Sequence, residues 1–367
     1  DLAKGVLQFS KGDSIDNKDE ADWLAFHVAN TWGLDKKPIS ERLEWVYSNE
    51  EMLRKIHQDP LMYTQWAQAD KPYAFLAAAM EMGEFFETGY GFVSRVPIAQ
   101  DASNQGLQIY AMLLRDPEGA HHTNVTPSDY PQDLYHVVAD RVIEKLKEST
   151  HPYANIWLQF GVDRKTCKRQ TMVLPYGSTK QSCKDYTVDW FKEEVYRKNR
   201  ENPFNNEVFK PCIFLSDLIW DSIADKVTSA RVGMDWLRGV ARICMDHDVI
   251  PMWSVPSGFL VKQLYEKQAS YEVKTSIGGK IRRHRLQRGR GESSPRRNIN
   301  GICPNYVHSL DASLLMDTFN LGHLNGLTQF CSIHDSIATT AKHSGTLATC
   351  VRTATVRHFK PDLLAAF

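Results

Sequence analysis

The segment DRKTCKRQTMVLPYGS, residues 163–178, constrains the fold of this chain more than any other part of its sequence. Arg164, Lys168, Met172 and Tyr176 follow one another at intervals of four residues, so on a helix they share one face. From the first of them to the last, this face extends about 18 Å at the rise of an α-helix. A long face that begins with two cations predicts a helix whose charged side meets solvent or an anion.

The residues alone leave two interpretations of this helix open. Cations four residues apart repel each other slightly, and a phosphate-bearing ligand between them would remove that cost. In the other interpretation the charged face is solvated, and Met172 and Tyr176 pack on the core. Pro175 lacks an N–H and is expected to disturb the last turn, after which Gly177 is expected to stop the helix.

Two β-prone runs each lead to an aspartate. Residues 92–100 alternate in hydrophobicity before Asp101, whereas residues 328–340 predict a strand, a tight turn at His334-Asp335 and a second strand. Two carboxylates held together at strand ends can bridge two divalent cations about 4 Å apart, as in two-metal phosphoryl chemistry. Magnesium suits such a site because it takes few carboxylates and keeps places for substrate phosphates. An aspartate at a strand end more often caps a turn, so the pair alone is weak support.

The remaining patterns predict a mixture of helices and antiparallel strands. Apolar residues at helical spacing predict helices over residues 39–57, 72–88, 131–148 and 163–176, and one or two further helices over residues 213–247. Residues 270–300 carry Gly278-Gly279 between a β-prone arm and an Arg-rich arm, which predicts a hairpin. Helices segregated from short antiparallel strands predict the α+β fold class.

The formal net charge is zero, but the charges are unevenly distributed. Residues 1–90 carry 16 acidic side chains against 9 basic ones, whereas residues 280–297 hold one Lys and seven Arg against one Glu. A concentrated basic element predicts phosphate or nucleic-acid binding better than the net charge does. A mobile charged loop is the alternative, which Gly289 and Gly291 favour. The candidate DNA-binding side chains are Arg282, Arg283, Arg285, Arg288, Arg290, Arg296 and Arg297.

Cysteine usage and hydropathy argue against two classes of protein. The seven cysteines are scattered, without a CxxC pair or a zinc-type cluster, so we expect reduced thiols in a reducing compartment. No apolar run approaches the roughly 20 residues that span a bilayer, so we expect no membrane partner.

Ordered segments along nearly the whole chain resemble the single-subunit RNA polymerases of phages and mitochondria. The most specific are DRKTCKRQTMVLPYG, which is similar to the family's R-x3-K-x6–7-YG helix, and SIHDS (332–336), which is similar to its second catalytic-aspartate motif. The segment DASNQGLQ (101–108) is similar to the first such motif. The other matching segments are DLAKGVLQFSKG (1–12), WGLDKKP (32–38), GICPNYVHSLDASLL (301–315) and the terminal DLLAAF.

The resemblance implies a catalytic centre with two Mg²⁺ ions. Asp101 and Asp335 would bind both ions, with the backbone carbonyl of Ala102 as a further ligand. His334, beside the second aspartate, would position the primer end, although a turn histidine satisfied by the backbone is the alternative.

The resemblance also implies contacts to the incoming nucleotide. Lys36, Arg164 and Lys168 would hold its triphosphate, where their charge stabilises the transition state as pyrophosphate leaves. Tyr176 would stack near the new base pair, and its hydroxyl, with His308, would favour a ribose that bears a 2′-OH. A site built to bond a hydroxyl leaves a polar group unpaired when that hydroxyl is missing. Lys168 and Tyr176 thereby join the aspartates as catalytic residues.

The implied fold is a right-hand nucleotide polymerase. We expect a palm in two segments, residues 1–128 and 301–367, with fingers at residues 129–300 that include the nucleotide-binding helix and the family's promoter-reading hairpin. We expect the family's thumb and large N-terminal domain to be absent from this chain. A second polymerase subunit would then supply the N-terminal part, and a truncated chain is the alternative.

The implied reaction is DNA-templated RNA synthesis, in which an RNA 3′-hydroxyl attacks the α-phosphate of a ribonucleoside triphosphate. The partners would be a DNA template, the RNA transcript and a single-stranded DNA-binding protein that compensates for a weak grip on nucleic acid. We expect the chain to act in the cytoplasm of a bacterial phage host rather than in a mitochondrial matrix.

Two other functions are kept as alternatives. A DNA polymerase of the related family usually has a glutamate in its first aspartate motif, and residues 101–108 have none. It usually has His-Asp-Glu in the second motif, where Ser336 follows Asp335 here. A non-catalytic nucleic-acid-binding subunit would have lost an aspartate or the helix lysine, and Asp101, Asp335 and Lys168 are all present.

Overall fold

The computed structural model describes residues 2–128 and 130–367, and these form two compact units. Both units mix helices with antiparallel strands, in agreement with the α+β class. The first unit comprises Asp1–Gln108, Ala120–Asp133 and Asp311–Leu363. The second unit comprises Ile109–Gly119, Leu134–Leu310 and Leu364–Phe367.

Helices dominate the described residues. The α-helices are α1 (Leu2–Gly5), α2 (Lys18–Trp32), α3 (Ile39–Ser48), α4 (Glu50–Gln58), α5 (Pro72–Thr88), α6 (Gln105–Leu113), α7 (Pro117–His122), α8 (Leu134–Glu148), α9 (Pro152–Phe160), α10 (Arg164–Val173), α11 (Lys180–Lys192), α12 (Phe209–Lys226), α13 (Thr228–Asp246), α14 (Pro295–Leu324) and α15 (Ser344–Phe359). Short 3₁₀ segments lie at Thr64–Gln68, Leu174–Tyr176 and Ala341–His343, and a π-helical turn at Glu193–Arg197.

The strands are short, apart from one long hairpin. They are β1 (Asp13–Ser14), β2 (Val93–Ser94), β3 (Ile98–Gln100), β4 (Met252–Ser254), β5 (Leu260–Lys262), β6 (Glu266–Ile277), β7 (Lys280–Ser293), β8 (Cys331–Ile333) and β9 (Ser336–Thr339). The pairing is antiparallel, in the orders β1-β2, β3-β9-β8, β4-β5 and β6-β7.

The core of the first unit lies where α5 packs against α2 and α4. Leu24, Phe75 and Met82 are fully buried in it, and Ile15 joins them from the chain before α2. Burying a side chain of this size contributes about 1.5–3 kcal/mol. The prediction of a helix over residues 72–88 is confirmed, and its initial proline occupies a position where the missing N–H is not needed.

The predicted helix over residues 39–57 is interrupted at Asn49, which separates α3 from α4. The side-chain amide of Asn49 donates to the backbone carbonyl of Trp45 at 2.7 Å, while the backbone carbonyl of Asn49 accepts from the N–H of Leu53 at 3.1 Å. A short polar side chain that bonds its own backbone thus breaks a continuous amphipathic pattern.

Two further helix predictions have different limits in the structure. The helix predicted over residues 131–148 begins at Leu134, so Pro131 lies outside it. The pattern over residues 213–247 corresponds to α12 and α13, which Val227 separates.

The predicted strand over residues 92–100 is divided into β2, which pairs with β1, and β3, which pairs with β9. Between them the buried Glu81 accepts hydrogen bonds from Oγ of Ser94 at 2.6 Å and from the N–H groups of Arg95 and Val96, both at 3.0 Å. Burial raises the pKa of Glu81 in spite of these bonds. Because the Glu81 carboxylate binds these two backbone N–H groups, they are not available for pairing between strands. The strand therefore ends at Ser94, and the next strand begins at Ile98, after Pro97.

The prediction of a strand, tight turn and strand over residues 328–340 is confirmed. β8 and β9 pair as far as Ile333 and Ser336, which leaves His334 and Asp335 as a two-residue turn. His334 has a φ of 56°, in the left-handed region that two-residue hairpin turns use.

The core of the second unit is built around Trp157, which is fully buried. Its ring lies 5.3 Å from Phe191 and 4.7 Å from Phe204, measured between centroids. Its indole N–H donates to the carbonyl of Pro211 at 3.1 Å, so the polar atom of this large side chain is satisfied. α10 packs beside this core, against α8 and α11.

The predicted hairpin is formed by β6 and β7, with Gly278 and Gly279 at its turn. Their φ values of 59° and 74° lie in the region that a two-residue turn requires. β7 is exposed along all but its last residue. The base of the hairpin is held by Asn298, whose Oδ1 accepts from the N–H of Tyr265 at 2.8 Å.

We expect Glu81→Ala to lower the free energy of unfolding by about 2–4 kcal/mol, because buried donors lose their acceptor. Glu81→Gln retains one acceptor oxygen and should cost less. Urea unfolding measures both, with the exposed Glu84→Ala on the same helix as the control. An unchanged midpoint for Glu81→Ala would contradict this role.

Candidate active site

The pairing of β3 with β9 brings Asp101 and Asp335 to the same end of one sheet. The last residue pair of these strands is Gln100 with Ile337. One residue further, Asp101 leaves β3 opposite Ser336, the sequence neighbour of Asp335. Paired strands lie about 4.7–4.9 Å apart, so the two aspartates are neighbours across the sheet.

The two carboxylates interact electrostatically. Burial, and then the negative charge of Asp101, raise the pKa of Asp335. Like charges held together disfavour ionisation, and a divalent cation between them would remove that cost. The described residues contain no group of three or more His, Cys, Asp or Glu placed to hold a metal. A pair of carboxylates nevertheless fits Mg²⁺, which completes its shell with water and substrate phosphates.

A third carboxylate, which the sequence analysis did not single out, lies beside this pair. Burial, and then the charge of Asp335, raise the pKa of Asp311 on α14 to about 6. Gln105 of α6 donates from Nε2 to Oδ1 of Asp311 at 3.1 Å. The sequence held a signal for it, because Asp311 follows His308 by three residues and so shares a helical face with it.

His334 is exposed in the same turn as Asp335. Its positive charge lowers the pKa of Asp335, against the larger effects of burial and Asp101. The structure therefore places it beside the aspartates, and both of its predicted roles stay open.

Lys36 and Asp101 line one cavity of the first unit, with a volume of about 300 Å³. Ala102, the predicted carbonyl ligand, also lines it. Lys36 is exposed in the loop between α2 and α3, with its ammonium 3.2 Å from the carboxylate of Asp35. Further cations in the lining are Lys4, Arg42 and Lys71. One predicted triphosphate contact and two predicted metal ligands thus share a concave, cation-rich site.

His27 lines the same cavity and is a buried histidine, 8% exposed. Its Nδ1 has no hydrogen-bond partner among residues 2–128 and 130–367. Burial, together with the charge of Lys71, lowers its pKa to about 4. His27 is therefore neutral near pH 7.

The predicted basic helix is α10, and its charged face is not buried. Asp163 caps it by accepting from the N–H of Thr166 at 3.0 Å, while Oγ1 of Thr166 accepts from the N–H of Asp163 at 3.1 Å. Lys168 is exposed and Met172 is 40% exposed, so the interpretation with Met172 in the core is wrong. The buried face consists of Thr166, Cys167, Gln170 and Thr171.

Tyr176 lies beyond the α-helix, contrary to the prediction of a single helical face. A 3₁₀ turn follows α10, with Pro175 near its start and Gly177, at a φ of 87°, after its end. Because Pro175 has no N–H, the α-helical ladder does not continue through it.

Tyr176 and His308, both in the second unit, are in contact. Their ring centroids are 4.8 Å apart, with an angle of 36° between the planes. The guanidinium of Arg164 lies over the ring of Tyr135 at 5.1 Å from its centroid. The phenol and imidazole that the resemblance assigns to the ribose are therefore neighbours.

The candidate DNA-binding arginines belong to two elements. Those on the exposed strand β7 are Arg282, Arg283, Arg285, Arg288 and Arg290. Arg296 and Arg297 lie instead in the first turn of α14. Arg297 donates to the carbonyl of Glu266 at 3.2 Å and lies over the ring of Tyr265, so it braces the base of the hairpin.

Residues 16–367 match the family model described as DNA-dependent RNA polymerase. The chain belongs to this family. The prediction from the motifs is therefore confirmed, and the segments that carried it lie within the matched residues, apart from DLAKGVLQFSKG (1–12), which precedes them.

The chain is 30% identical to the DNA-directed RNA polymerase of Enterobacteria phage K11 and 29% identical to T7 RNA polymerase of Escherichia phage T7, with 100% of the chain covered in each. It is 31% identical to the mitochondrial DNA-directed RNA polymerase of Mus musculus, with 99% covered. The chain spans 45%, 46% and 30% of these relatives' own lengths, respectively.

None of the helices that the structure describes combines the length and the apolar character that crossing a bilayer requires. The cysteines are free thiols, and most of them are buried.

As the pH falls from about 7 to about 4, we expect the free energy of unfolding to decrease by up to about 3 kcal/mol because of His27. The unfolded chain takes up a proton near pH 6.5, whereas the folded chain holds His27 neutral down to about pH 4. The stability is thus present above pH 6.5 and lost as the pH falls. His27→Gln should flatten the curve.

Urea unfolding of both proteins across this pH range measures the difference. His358, whose pKa burial also lowers, titrates in both proteins and cancels from the comparison. Parallel curves would show that His27 does not titrate as described.

Proposed function

We propose that this chain carries the catalytic centre of a DNA-templated RNA polymerase with a right-hand fold. The observation that supports it most is the β3–β9 pairing, which sets Asp101 beside Asp335 in a member of this family. In the proposal the palm comprises residues 1–128 and 301–367, and the fingers comprise residues 129–300.

Two Mg²⁺ ions would be held by Asp101, Asp335 and the backbone carbonyl of Ala102. Bound there, they would make the RNA 3′-hydroxyl a better nucleophile and neutralise charge on the phosphates. The raised pKa of Asp335 supports this donor set, because its site disfavours a lone negative charge and favours a cation. Asp311, held by Gln105, adds further negative potential to the same place.

Lys36, Arg164 and Lys168 would bind the triphosphate of the incoming ribonucleotide. Their positive charges would stabilise the negative charge that develops on the departing pyrophosphate. The shared cavity of Lys36 and Asp101 supports the first assignment. The outward face of α10 supports the assignment of Lys168, since an exposed ammonium is available to an anion.

Tyr176 and His308 would select the ribose, with the Tyr176 ring also stacking near the new base pair. Their ring contact supports a shared role, because two polar groups side by side can be satisfied together by one 2′-hydroxyl. His334, next to Asp335, would position the primer end.

The exposed arginines of β7 would contact template DNA. Arginine binds phosphates and also pairs with guanine in two-point contacts, so the same hairpin can grip DNA and read a promoter. Arg296 and Arg297 remain candidates for DNA contact from the first turn of α14. Contacts to phosphates make such binding weaken as salt rises.

The chain would act with the other parts of such a polymerase, on the same polypeptide or on a second subunit. A single-stranded DNA-binding protein would assist by keeping the template open. We place this activity in the cytoplasm of a bacterial host, which the phage relatives support.

We expect extension of an RNA primer on a DNA template with Mg²⁺ and ribonucleotides, by the chain alone or with its candidate second subunit. Asp335→Asn should reduce the rate by about a thousandfold or more, which corresponds to about 4 kcal/mol of lost transition-state stabilisation. The exposed Asp140→Asn is the matched control and should leave the rate unchanged.

The other outcomes separate the alternatives. Efficient extension with deoxyribonucleotides would favour a DNA polymerase. No extension under any condition would favour a non-catalytic nucleic-acid-binding subunit and overturn the assignment of the two aspartates.

We expect Tyr176→Phe to reduce the preference for ribo- over deoxyribonucleotides by about tenfold, the equivalent of one lost hydrogen bond. The change keeps the ring that contacts His308, so kcat/KM for ribonucleotides should fall little. The ratio of the two kcat/KM values is the measurement, and Tyr196→Phe, at an exposed site, is the control. An unchanged ratio would assign ribose selection elsewhere.

A further inference from the structure

Arg42 of α3 is a buried arginine, with 6% of its surface exposed. Arginine is almost never buried to this extent unless its charge is paired. Here its hydrogen-bond acceptors are neutral oxygens, and the ring of Phe26 lies 5.0 Å from the guanidinium carbon. Burial lowers the pKa of Arg42 by more than the charge of Asp35 raises it. The hydrogen bonds of the guanidinium are thus made to neutral groups rather than to a carboxylate.

The guanidinium of Arg42 binds three points on one loop and its neighbouring helix. Nε donates to the carbonyl of Lys37 at 2.7 Å, and one terminal nitrogen donates to the carbonyl of Asp35 at 2.9 Å. The other terminal nitrogen donates to Oδ1 of Asn30 on α2 at 2.9 Å. These bonds use the planar fork of arginine, which presents several donors in fixed directions.

The two carbonyls flank Lys36 on either side. Within the loop, the N–H of Lys37 donates to the carbonyl of Leu34 at 2.9 Å. Gly33 ends α2 in the left-handed region, and Pro38 precedes α3 without a side-chain cap. Arg42 therefore fixes the backbone from which the Lys36 side chain reaches into the cavity that it shares with Asp101.

We propose that Arg42 is a positioning residue for nucleotide binding, which acts by holding the loop so that Lys36 meets the triphosphate. The inference rests on the proposed role of Lys36. Without the hydrogen bonds of Arg42 to the two carbonyls, Lys36 is still present, but its backbone becomes mobile. Its contact with the triphosphate is then made only part of the time. Preorganisation of this kind lowers the entropy that a bound ligand must remove.

Arg42→Lys tests this with the positive charge kept. A lysine ammonium can bond one of the two carbonyls but not both in the geometry of the fork. The assay is primer extension by the chain alone or with its candidate second subunit, whichever is more active. We expect the KM for ribonucleotides to rise about three- to tenfold, with kcat little changed. Hydrogen exchange of the amides of residues 33–37 should become faster.

The decisive comparison is a double-mutant cycle with Lys36→Ala. If Arg42 acts through Lys36, then Arg42→Lys should raise KM in the wild-type background and have almost no further effect on KM in the Lys36→Ala background. If the two effects on KM multiply, or if Arg42→Lys lowers kcat alone, Arg42 is structural only and the inference is overturned.

Arg54→Lys is the matched control, because Arg54 also clamps backbone in the first unit. It donates to the carbonyl of Phe86 and lies over that residue's ring, away from the loop of Lys36. We expect a similar change in thermal stability from Arg54→Lys, with no change in KM and no coupling to Lys36→Ala.

The test also separates this inference from the proposed function. If Lys36→Ala leaves KM unchanged while Asp335→Asn abolishes extension, the polymerase stands and both Lys36 and Arg42 lose their roles. If no extension occurs at all, binding of a fluorescent ribonucleoside triphosphate replaces KM in the same cycle. If amide hydrogen exchange of residues 33–37 is unchanged in Arg42→Lys, then Arg42 does not order this loop and the inference is wrong.

Discussion

The like charges of Asp101 and Asp335 are the constraint on which the candidate centre depends. An antiparallel strand pair holds them on one edge, where burial and mutual repulsion raise the pKa of Asp335. A sheet does not relax as a loop would, so the repulsion persists in the folded state. A cation bound between the two carboxylates would remove this repulsion. The strands thus build negative potential before any ligand arrives, and Asp311 adds to it.

The candidate nucleotide-binding cations of the two units depend on rigidity in a different way. Lys36 and Lys168 are long and exposed, and each loses much side-chain entropy when it binds an anion. Their backbones are accordingly held: the first by the bonds of Arg42 to its loop, the second by the capping box of Asp163. In each unit the side chain of another residue, Arg42 or Asp163, orders the segment that carries the charge.

Much of the local structure was predictable from the residues. The two-residue turn at His334-Asp335 and the glycine turn of the long hairpin follow from turn chemistry, which acts over two to four residues. The errors had local causes of another kind. Asn49 breaks a helix through its own side chain, and Pro175 ends α10 before Tyr176. The amphipathic pattern around Asn49 outweighed this residue in the prediction. The effect of Pro175 on the last turn was expected, but the prediction still placed Tyr176 on the same helical face.

The sequence by itself determined the family and the order of its motifs, and it singled out the two aspartates as candidates, because these features lie in contiguous segments. Only the tertiary structure decided which distant groups meet. Gln105 bonds Asp311, and Glu81 of α5 takes the backbone donors that divide the strand before Asp101. Such partners depend on strand register and helix packing, in which a shift of one residue exchanges every contact. The spacing of residues along the chain therefore does not reveal which of these distant groups are in contact.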